Sequence, residues 1–205
     1  MRISDLLFRT NVKIPERRED GTYELADYTL GFFGVGVAAL IRKDIHSLCR
    51  FGDSVEYAGS DLDKSMTEIY NSYPDELKEL IIPSTIPLYN GSGAEDITRK
   101  VFAPTLTMVG GGENEGVDEG FTWPIFTGRN SREKTFNGSA NVWWLSSQFS
   151  SDVAWFVGTG GSAYYFGLPS LTLGVVPAFI IPQSVQIDDT PDNDGSYRLT
   201  VLNYA

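Results

Sequence analysis

Short apolar runs separated by glycine and polar residues make up most of this chain, and one stretch has the spacing of an amphipathic helix. We predict a helix over residues 60–73, because its apolar side chains recur at i, i+4, i+7, i+8 and i+11 and share one face: Leu62, Met66, Ile69, Tyr70 and Tyr73. Ser60 or Asp61 can cap this helix, and Pro74 ends it. A second short helix is predicted over residues 75–82, stopped by Pro83.

The other runs predict strands. Residues 34–41 form an apolar run typical of a buried strand, and residues 100–104 predict a short one. From residue 141 the chain becomes strand-rich, and glycines separate runs that predict an antiparallel meander over residues 142–145, 153–157, 163–166 and 175–181. Residues 184–187 and 196–204 predict a final hairpin.

The composition indicates a protein with a sizeable core and no nucleic acid partner. The 205 residues suit one large domain, and 41% of them are hydrophobic. Acidic residues number 27 and basic residues 16, which gives a net charge of −11. Because nucleic acids and anionic membranes are bound chiefly through Lys and Arg, this balance argues against both.

Cys49 is the single cysteine, so an internal disulfide and metal sites of several Cys and His are excluded. The nearby His46 could serve Cys49 as a base, but no third orienting group is apparent, and we interpret Cys49 as structural. Residues 1–7 are too short an apolar run for a signal peptide, and residues 35–41 are too short to span a bilayer. We therefore expect a protein made in the cytoplasm without a secretory signal.

No cofactor or catalytic residue is predicted from the glycine-rich motifs. Gly34-x-Gly36-x-x-Ala39 resembles a dinucleotide fingerprint, but its glycines fall inside a strand-like run and no long helix follows. Residues 110–119 begin with three consecutive glycines, contain four acids and lack the Gly-Lys-Ser/Thr of a phosphate cradle. We expect a mobile surface loop there, without a calcium site and without rigid support for a catalytic carboxylate.

A second acidic cluster leaves two interpretations open. It consists of Asp188, Asp189, Asp192 and Asp194. These carboxylates could bind calcium, or they could belong to a hairpin loop that closes on Asp194-Gly195, which is the simpler explanation.

Two motifs near the end carry a resemblance to a known family. They are Trp143-Trp144-Leu145-Ser146-Ser147 and the Gly-Val-Val-Pro-Ala-Phe of residues 174–179. Together with the order of the helices and strands over roughly residues 4–182, they resemble a domain of unknown function from Gram-positive bacteria and their phages. Ser146, Gln148 and Val176 stand where that family often has arginine or proline, so polar contacts made by those residues do not carry over.

The resemblance implies an α+β, C-type-lectin-like fold, also similar to formylglycine-generating enzymes, in which small twisted antiparallel sheets carry two short helices and long loops. It implies a lectin-like domain over residues 1–182, followed by a C-terminal hairpin extension over residues 183–205. Lectin-like calcium and sugar motifs are missing, and one cysteine cannot form the enzymes' oxidising pair. The resemblance therefore implies the fold and at most a role in displaying a binding surface, and it implies no catalytic or ligand-binding chemistry.

Candidate ligand-binding residues lie in the hairpins between the two motifs, where Tyr and Trp offer contact area and Ser and Thr adaptable hydrogen bonds. They are Gln148, Ser150, Ser151, Asp152, Trp155, Thr159, Ser162, Tyr164 and Tyr165. By strand alternation, at least one of Trp143 and Trp144 must belong to the core.

These inferences favour a non-enzymatic structural or binding protein of a tailed-phage virion, as a capsid or tail decoration or a receptor-binding module. Its expected partners are other virion proteins, a host surface glycan or protein, and further copies of itself as a homo-oligomer. One alternative is a bacterial carbohydrate- or protein-binding domain outside a virion. The last alternative is a glycoside hydrolase, because the many carboxylates could include a catalytic pair.

Overall fold

Two sheets contain most of the strands in the computed structural model, which describes residues 1–202. The helices are α1 (Asp61–Ser72) and α2 (Asp75–Leu80), and single 3-10 turns lie at Ile3–Asp5 and Arg129–Arg132. The strands are, in chain order, β1 (Asn11–Arg17), β2 (Tyr23–Phe33), β3 (Val37–Arg42), β4 (Ser47–Arg50), β5 (Ser84–Tyr89), β6 (Ala94–Arg99), β7 (Val101–Phe102), β8 (Lys134–Phe136), β9 (Ser139–Asn141), β10 (Trp143–Gln148), β11 (Ala154–Val157), β12 (Ala163–Gly167), β13 (Thr172–Val175), β14 (Ala178–Pro182) and β15 (Tyr197–Arg198). This mixture of short helices and small sheets is an α+β fold.

The larger sheet has the strand order β15-β1-β2-β3-β14-β7, and the smaller has the order β12-β11-β10-β13-β4. Strands β10, β11 and β12 form an antiparallel meander, as predicted. Beyond them the prediction was wrong, because β13 pairs with β10 in parallel and β14 belongs to the larger sheet. The chain changes sheets at Pro177, which has no N–H to continue a ladder.

Both predicted helices are confirmed. The Ser60 hydroxyl accepts a hydrogen bond of 3.1 Å from the Asp63 N–H and so caps α1. Helix α2 ends two residues earlier than predicted, because the N–H of Ile82 donates instead to the Ile180 carbonyl of β14 at 2.8 Å.

The strand predicted over residues 34–41 is present as β3, but its first residues form the turn that joins it to β2. Gly36 has a φ of +77°, which favours glycine. The glycines of the apparent dinucleotide fingerprint therefore lie in a hairpin turn, and the expectation that they fall within the strand was wrong.

A buried ionic network ties three strands of the larger sheet to the end of α1. Arg42 donates to both oxygens of the Glu16 carboxylate, at 3.0 and 3.1 Å. The Tyr28 hydroxyl donates to Glu16 at 2.7 Å and lies 2.6 Å from the Tyr73 hydroxyl. Burial raises the pKa of both tyrosines well above its usual value, so both stay protonated hydrogen-bonding partners.

Trp143 and Trp144 are both fully buried, so both belong to the core. Their side chains point to opposite faces of β10, and each indole N–H has a backbone acceptor: the Arg132 carbonyl at 3.0 Å for Trp143 and the Cys49 carbonyl at 3.1 Å for Trp144. Cys49 is half-buried in β4, and burial raises the pKa of its thiol, which favours the structural interpretation.

The segment after residue 182 packs against the start of the chain. Strand β15 pairs in parallel with β1, and single antiparallel bridges join Ile187 to Leu199 and Arg2 to Gln186. The last residues of the predicted hairpin, beyond residue 202, lie outside the described part of the chain. The proposed division at residue 182 stays a prediction. Within residues 1–202, no helix is long and apolar enough to cross a membrane.

Gly167 and Gly160 provide a matched test of the core beneath β12. A Cβ atom on Gly167 would lie 2.6 Å from the Trp144 ring and 2.9 Å from the Ala154 carbonyl oxygen, whereas one on Gly160 would have no neighbour within 4 Å. We expect Gly167→Ala to lower the free energy of unfolding by about 1–3 kcal/mol, because β12 must move. Gly160→Ala should change it little. Urea denaturation of both variants measures the difference, and equal stability would contradict the packing described here.

Candidate functional site

The tips of two hairpins, β5–β6 and β10–β11, border an open groove of 640 Å³, here called the hairpin groove. It is lined by Tyr89, Asn90, Gly91, Ser92, Glu115, Gln148, Phe149, Ser150 and Ser151. The β5–β6 turn is shaped by Asn90, whose side-chain oxygen accepts hydrogen bonds from the N–H groups of Ser92 and Gly93 at 3.1 and 3.2 Å. A neighbouring opening of 410 Å³ brings the carboxylates of Glu56 and Glu95 beside Gln148.

Three aromatic rings, here called the aromatic triad, continue the groove onto the adjacent face of the smaller sheet. Phe149 lines the groove, and its ring centroid lies 4.5 Å from that of Tyr165 and 5.6 Å from that of Trp155. The rings of Trp155 and Tyr165 are also 5.6 Å apart. Tyr165 is 50% exposed, whereas Phe149 and Trp155 are half-buried, so the triad presents a rigid apolar surface next to polar groups.

The buried Glu119 carboxylate holds both sides of the groove. It accepts hydrogen bonds from the Tyr89 N–H at 2.9 Å, from the Asn114 side-chain amide at 3.0 Å and from the Ser147 hydroxyl. Ser147 lies in β10 and Tyr89 ends β5, so one side chain links the two strands that lead into the groove. Burial raises the pKa of Glu119, although these hydrogen bonds oppose the change.

Asn114 extends this network to the triad. Its amide nitrogen donates to the Gln148 carbonyl at 2.6 Å, and its side-chain oxygen accepts from the Trp155 indole N–H at 3.0 Å. Asn114 is held by a tight turn: its N–H and carbonyl both pair with Val117 at 2.9 Å. The two residues between them, Glu115 and Gly116, have φ of 49° and 77°, as a type I′ turn requires.

The expectation of a mobile surface loop over residues 110–119 is therefore wrong for two of its residues. Glu113, Glu115 and Asp118 are exposed, but Asn114 and Glu119 are buried and fully hydrogen-bonded. The expected lack of rigid support also fails for Glu119, since a buried carboxylate must find donors and this one has three.

The nine predicted ligand-binding residues separate into three places. Six lie at or near the groove and the triad: Gln148, Ser150, Ser151, Asp152, Trp155 and Tyr165. Thr159 and Ser162 belong to the β11–β12 turn at the opposite end of β11. Tyr164 lies on the other face of β12, where its ring is 5.6 Å from that of Phe156 and 5.4 Å from that of Phe166.

Several groove residues escaped prediction because they come from distant parts of the sequence. Asn90, Glu95, Asn114 and Glu119 lie outside the two motifs, and no local pattern connects them to Gln148. The Asn90-Gly91 pair signals a turn, but a turn signal does not tell which surface the turn will border.

The acidic cluster near the C-terminus does not converge on a common point. Asp189 pairs with the terminal amine of Met1, Asp192 with Arg198, and Asp194 with Lys13 at 2.7 Å. Within residues 1–202, no three His, Cys, Asp or Glu side chains come together as a metal ion would need. This arrangement favours a hairpin loop held by ion pairs over a calcium site.

Glu119→Ala should lower the stability of the protein and remove the acceptor that links the two sides of the groove. We expect a loss of about 3 kcal/mol in the free energy of unfolding, because the Tyr89 N–H, the Asn114 amide and the Ser147 hydroxyl would be left buried without their acceptor. Glu119→Gln keeps the shape and one acceptor oxygen, so it should lose less. Chemical denaturation followed by tryptophan fluorescence measures both.

The pH dependence of stability separates the charge of Glu119 from its shape. The pKa of Glu119 in the folded protein is raised above its ordinary value of 4.5. Its contribution to the free energy of unfolding is therefore fully present below pH 4.5 and is lost as the pH rises through the folded pKa. Glu119→Gln should lack this loss. Identical pH profiles for the wild type and Glu119→Gln would contradict the raised pKa.

Comparison with known proteins gives one family, whose description is "Domain of unknown function (DUF6273)", and its match covers residues 36–183. The matched region begins at the β2–β3 turn and includes both helices, the whole smaller sheet and both hairpins of the groove. Residues 4–35, which the resemblance over residues 4–182 had included, fall outside it. No curated protein and no solved structure matches the chain. Because the match covers well over half of its length, the chain belongs to the DUF6273 family.

Proposed function

We propose that this protein is a non-enzymatic binding protein that recognises a carbohydrate through the aromatic triad and the hairpin groove. The observation that carries the proposal is the position of the triad, which continues directly into a groove lined by amide, hydroxyl and carboxylate groups. A sugar ring has apolar faces and polar edges, so it needs these two kinds of surface side by side.

The rigidity of the site supports a binding role. Trp155 is fixed by its hydrogen bond to Asn114, and Asn114 is fixed in turn by Glu119. Side chains that are already ordered lose little entropy when a ligand binds, which favours affinity from a small contact area.

The charges around the groove favour a neutral or amino sugar over an acidic one. Glu56, Glu95 and Glu115 are exposed carboxylates that line the groove and its neighbouring opening. An anionic sugar would be repelled by them, whereas hydroxyl and ammonium groups can donate hydrogen bonds to them.

Glu119 acts in this proposal as a positioning residue and not as a catalytic one. Its side chain is completely enclosed, and its oxygens accept hydrogen bonds from three protein donors. A glycoside hydrolase needs a carboxylic acid that can reach the glycosidic oxygen and a second carboxylate across the bond. The enclosure of Glu119 therefore keeps this side chain from acting as such an acid.

The setting that the resemblance implies completes the proposal: a C-type-lectin-like fold displayed, as a homo-oligomer, on the capsid or tail of a tailed-phage particle. Small sheets that carry long loops and two short helices support such a fold. The alternative is a bacterial binding domain that acts outside a virion. It would use the same groove and triad.

A protein inventory of purified particles tests the setting. We expect mass spectrometry to find this chain in gradient-purified particles, in a fixed ratio to the major capsid protein. Its absence from particles, together with its presence in uninfected cells, would favour the bacterial alternative. Either result leaves the sugar-binding proposal to be tested separately.

Tyr165→Ala and Tyr164→Ala form a matched pair for the sugar-binding proposal, because the two neighbouring tyrosines lie on opposite faces of β12. They are 50% and 40% exposed, and only Tyr165 packs on Phe149 and Trp155. On an array of neutral, amino and acidic glycans, we expect Tyr165→Ala to weaken binding about tenfold, the loss typical of one stacked ring.

Tyr164→Ala should bind the same glycans as the wild type. Equal losses in both variants would show that the ligand does not use the triad. If the wild type binds no glycan at high micromolar concentration, the carbohydrate proposal is wrong, and a role in assembly is favoured instead.

A further inference from the structure

A second pocket lies on the larger sheet, shares no lining residue with the hairpin groove, and is here called the basic pocket. Asn11, Thr29 and Ile41 are direct cross-strand neighbours on β1, β2 and β3, and they form one side of it. The segment from Ile125 to Lys134 forms the other side. The pocket measures 620 Å³, within the range of small-molecule sites.

The basic pocket reverses the charge of the protein around it. Four basic residues line it: Arg9, Lys43, Arg129 and Lys134. Glu133 is the single acidic residue among its lining residues. This excess stands out in a chain whose net charge is −11. A local concentration of one sign attracts ligands of the other.

These cations are poorly neutralised by the protein itself. Arg9 donates to the Thr127 hydroxyl at 2.7 Å, and no ion pair joins Arg9 or Arg129 to a carboxylate within residues 1–202. Lys43 lies 3.7 Å from Asp27, a long ion pair whose carboxylate also contacts Lys13 at 2.7 Å. Arg129 and Lys43 are both exposed, so their charged groups are available to a ligand.

Lys134 adds a buried amine to the pocket wall. Its side chain donates to the carbonyls of Arg42 and Lys43 at 2.6 and 2.9 Å, and its ammonium lies 5.7 Å from the centre of the Trp143 ring. The residue is 6% exposed. Burial lowers the pKa of Lys134 to about 7, an effect that Arg42 reinforces and Asp44 opposes. An anion in the pocket would stabilise the charged form.

We propose that the basic pocket binds a small organic anion through a phosphate or carboxylate group. Arg9 and Arg129 can each hold two oxygens of such a group in a forked contact, and Lys43 adds a point charge. The Thr29 hydroxyl and the Asn11 amide supply polar contacts for the rest of the ligand. This site is independent of the hairpin groove, whose carboxylates favour a different kind of ligand.

The test uses four probes and two double variants of the full chain. The probes are inorganic phosphate, glucose 6-phosphate, acetate and glucuronate, titrated by calorimetry at low ionic strength. Lys43→Gln/Arg129→Gln removes two pocket charges. The control variant, Arg18→Gln/Lys64→Gln, makes the same change in net charge at two residues outside the pocket. Their side chains are 56% and 67% exposed.

We expect the wild type to bind at least one probe and the pocket variant to bind it about tenfold or more weakly, because charge-assisted hydrogen bonds are lost. The control variant should stay within about twofold of the wild type, since distant exposed charges are screened by salt. Preference for phosphate or for carboxylate probes identifies the group that is recognised.

A spectroscopic measurement makes the result specific to this pocket. In an NMR titration of the lysine side chains, saturation with the bound probe should raise the pKa of Lys134. The proposal is overturned if no probe binds at about 10 mM. It is equally overturned if both double variants lose binding to the same extent, or if the Lys134 titration does not move.

Discussion

The burial of the Glu119 carboxylate is the constraint on which the groove depends. A carboxylate removed from water must be surrounded by donors, and the donors here come from the end of β5, the turn at Asn114 and strand β10. Because all three donate to the same carboxylate, none of them can move without leaving a buried polar group unpaired, although they lie far apart in sequence. The two hairpins that border the groove are therefore fixed relative to each other. Trp155 is fixed to them as well, because its indole N–H donates to Asn114.

The larger sheet has a comparable arrangement around Glu16, but the two networks differ in what surrounds them. Glu16 is paired with Arg42 and fixes the packing of sheet and helix. Glu119 has no cation among its hydrogen-bonding partners, so burial raises its pKa. The first network joins core elements, whereas the second borders a groove, which is why the second bears on function.

Charge illustrates how whole-chain properties and local surfaces can differ. A net charge of −11 predicts repulsion of polyanions over the whole surface. The fold nevertheless gathers Arg9, Lys43, Arg129 and Lys134 from separate segments around one pocket. A small anion responds to the few charges within a Debye length, whereas a nucleic acid responds to the whole face.

The sequence by itself determined the local elements: α1 with a cap at Ser60 or Asp61, the start of α2, strand β3 and the meander that starts at Trp143. The spacing of hydrophobic residues, helix capping and proline act within a few residues, so the secondary structure that they specify can be predicted from the sequence. Only the tertiary structure decided that β14 joins the larger sheet and that Tyr164 and Tyr165 lie on opposite faces of β12. It also decided that Asn90 and Glu119 lie close to Gln148. Those outcomes depend on contacts between residues far apart in sequence, whose energy depends on which buried groups find partners, and no local pattern contains that information.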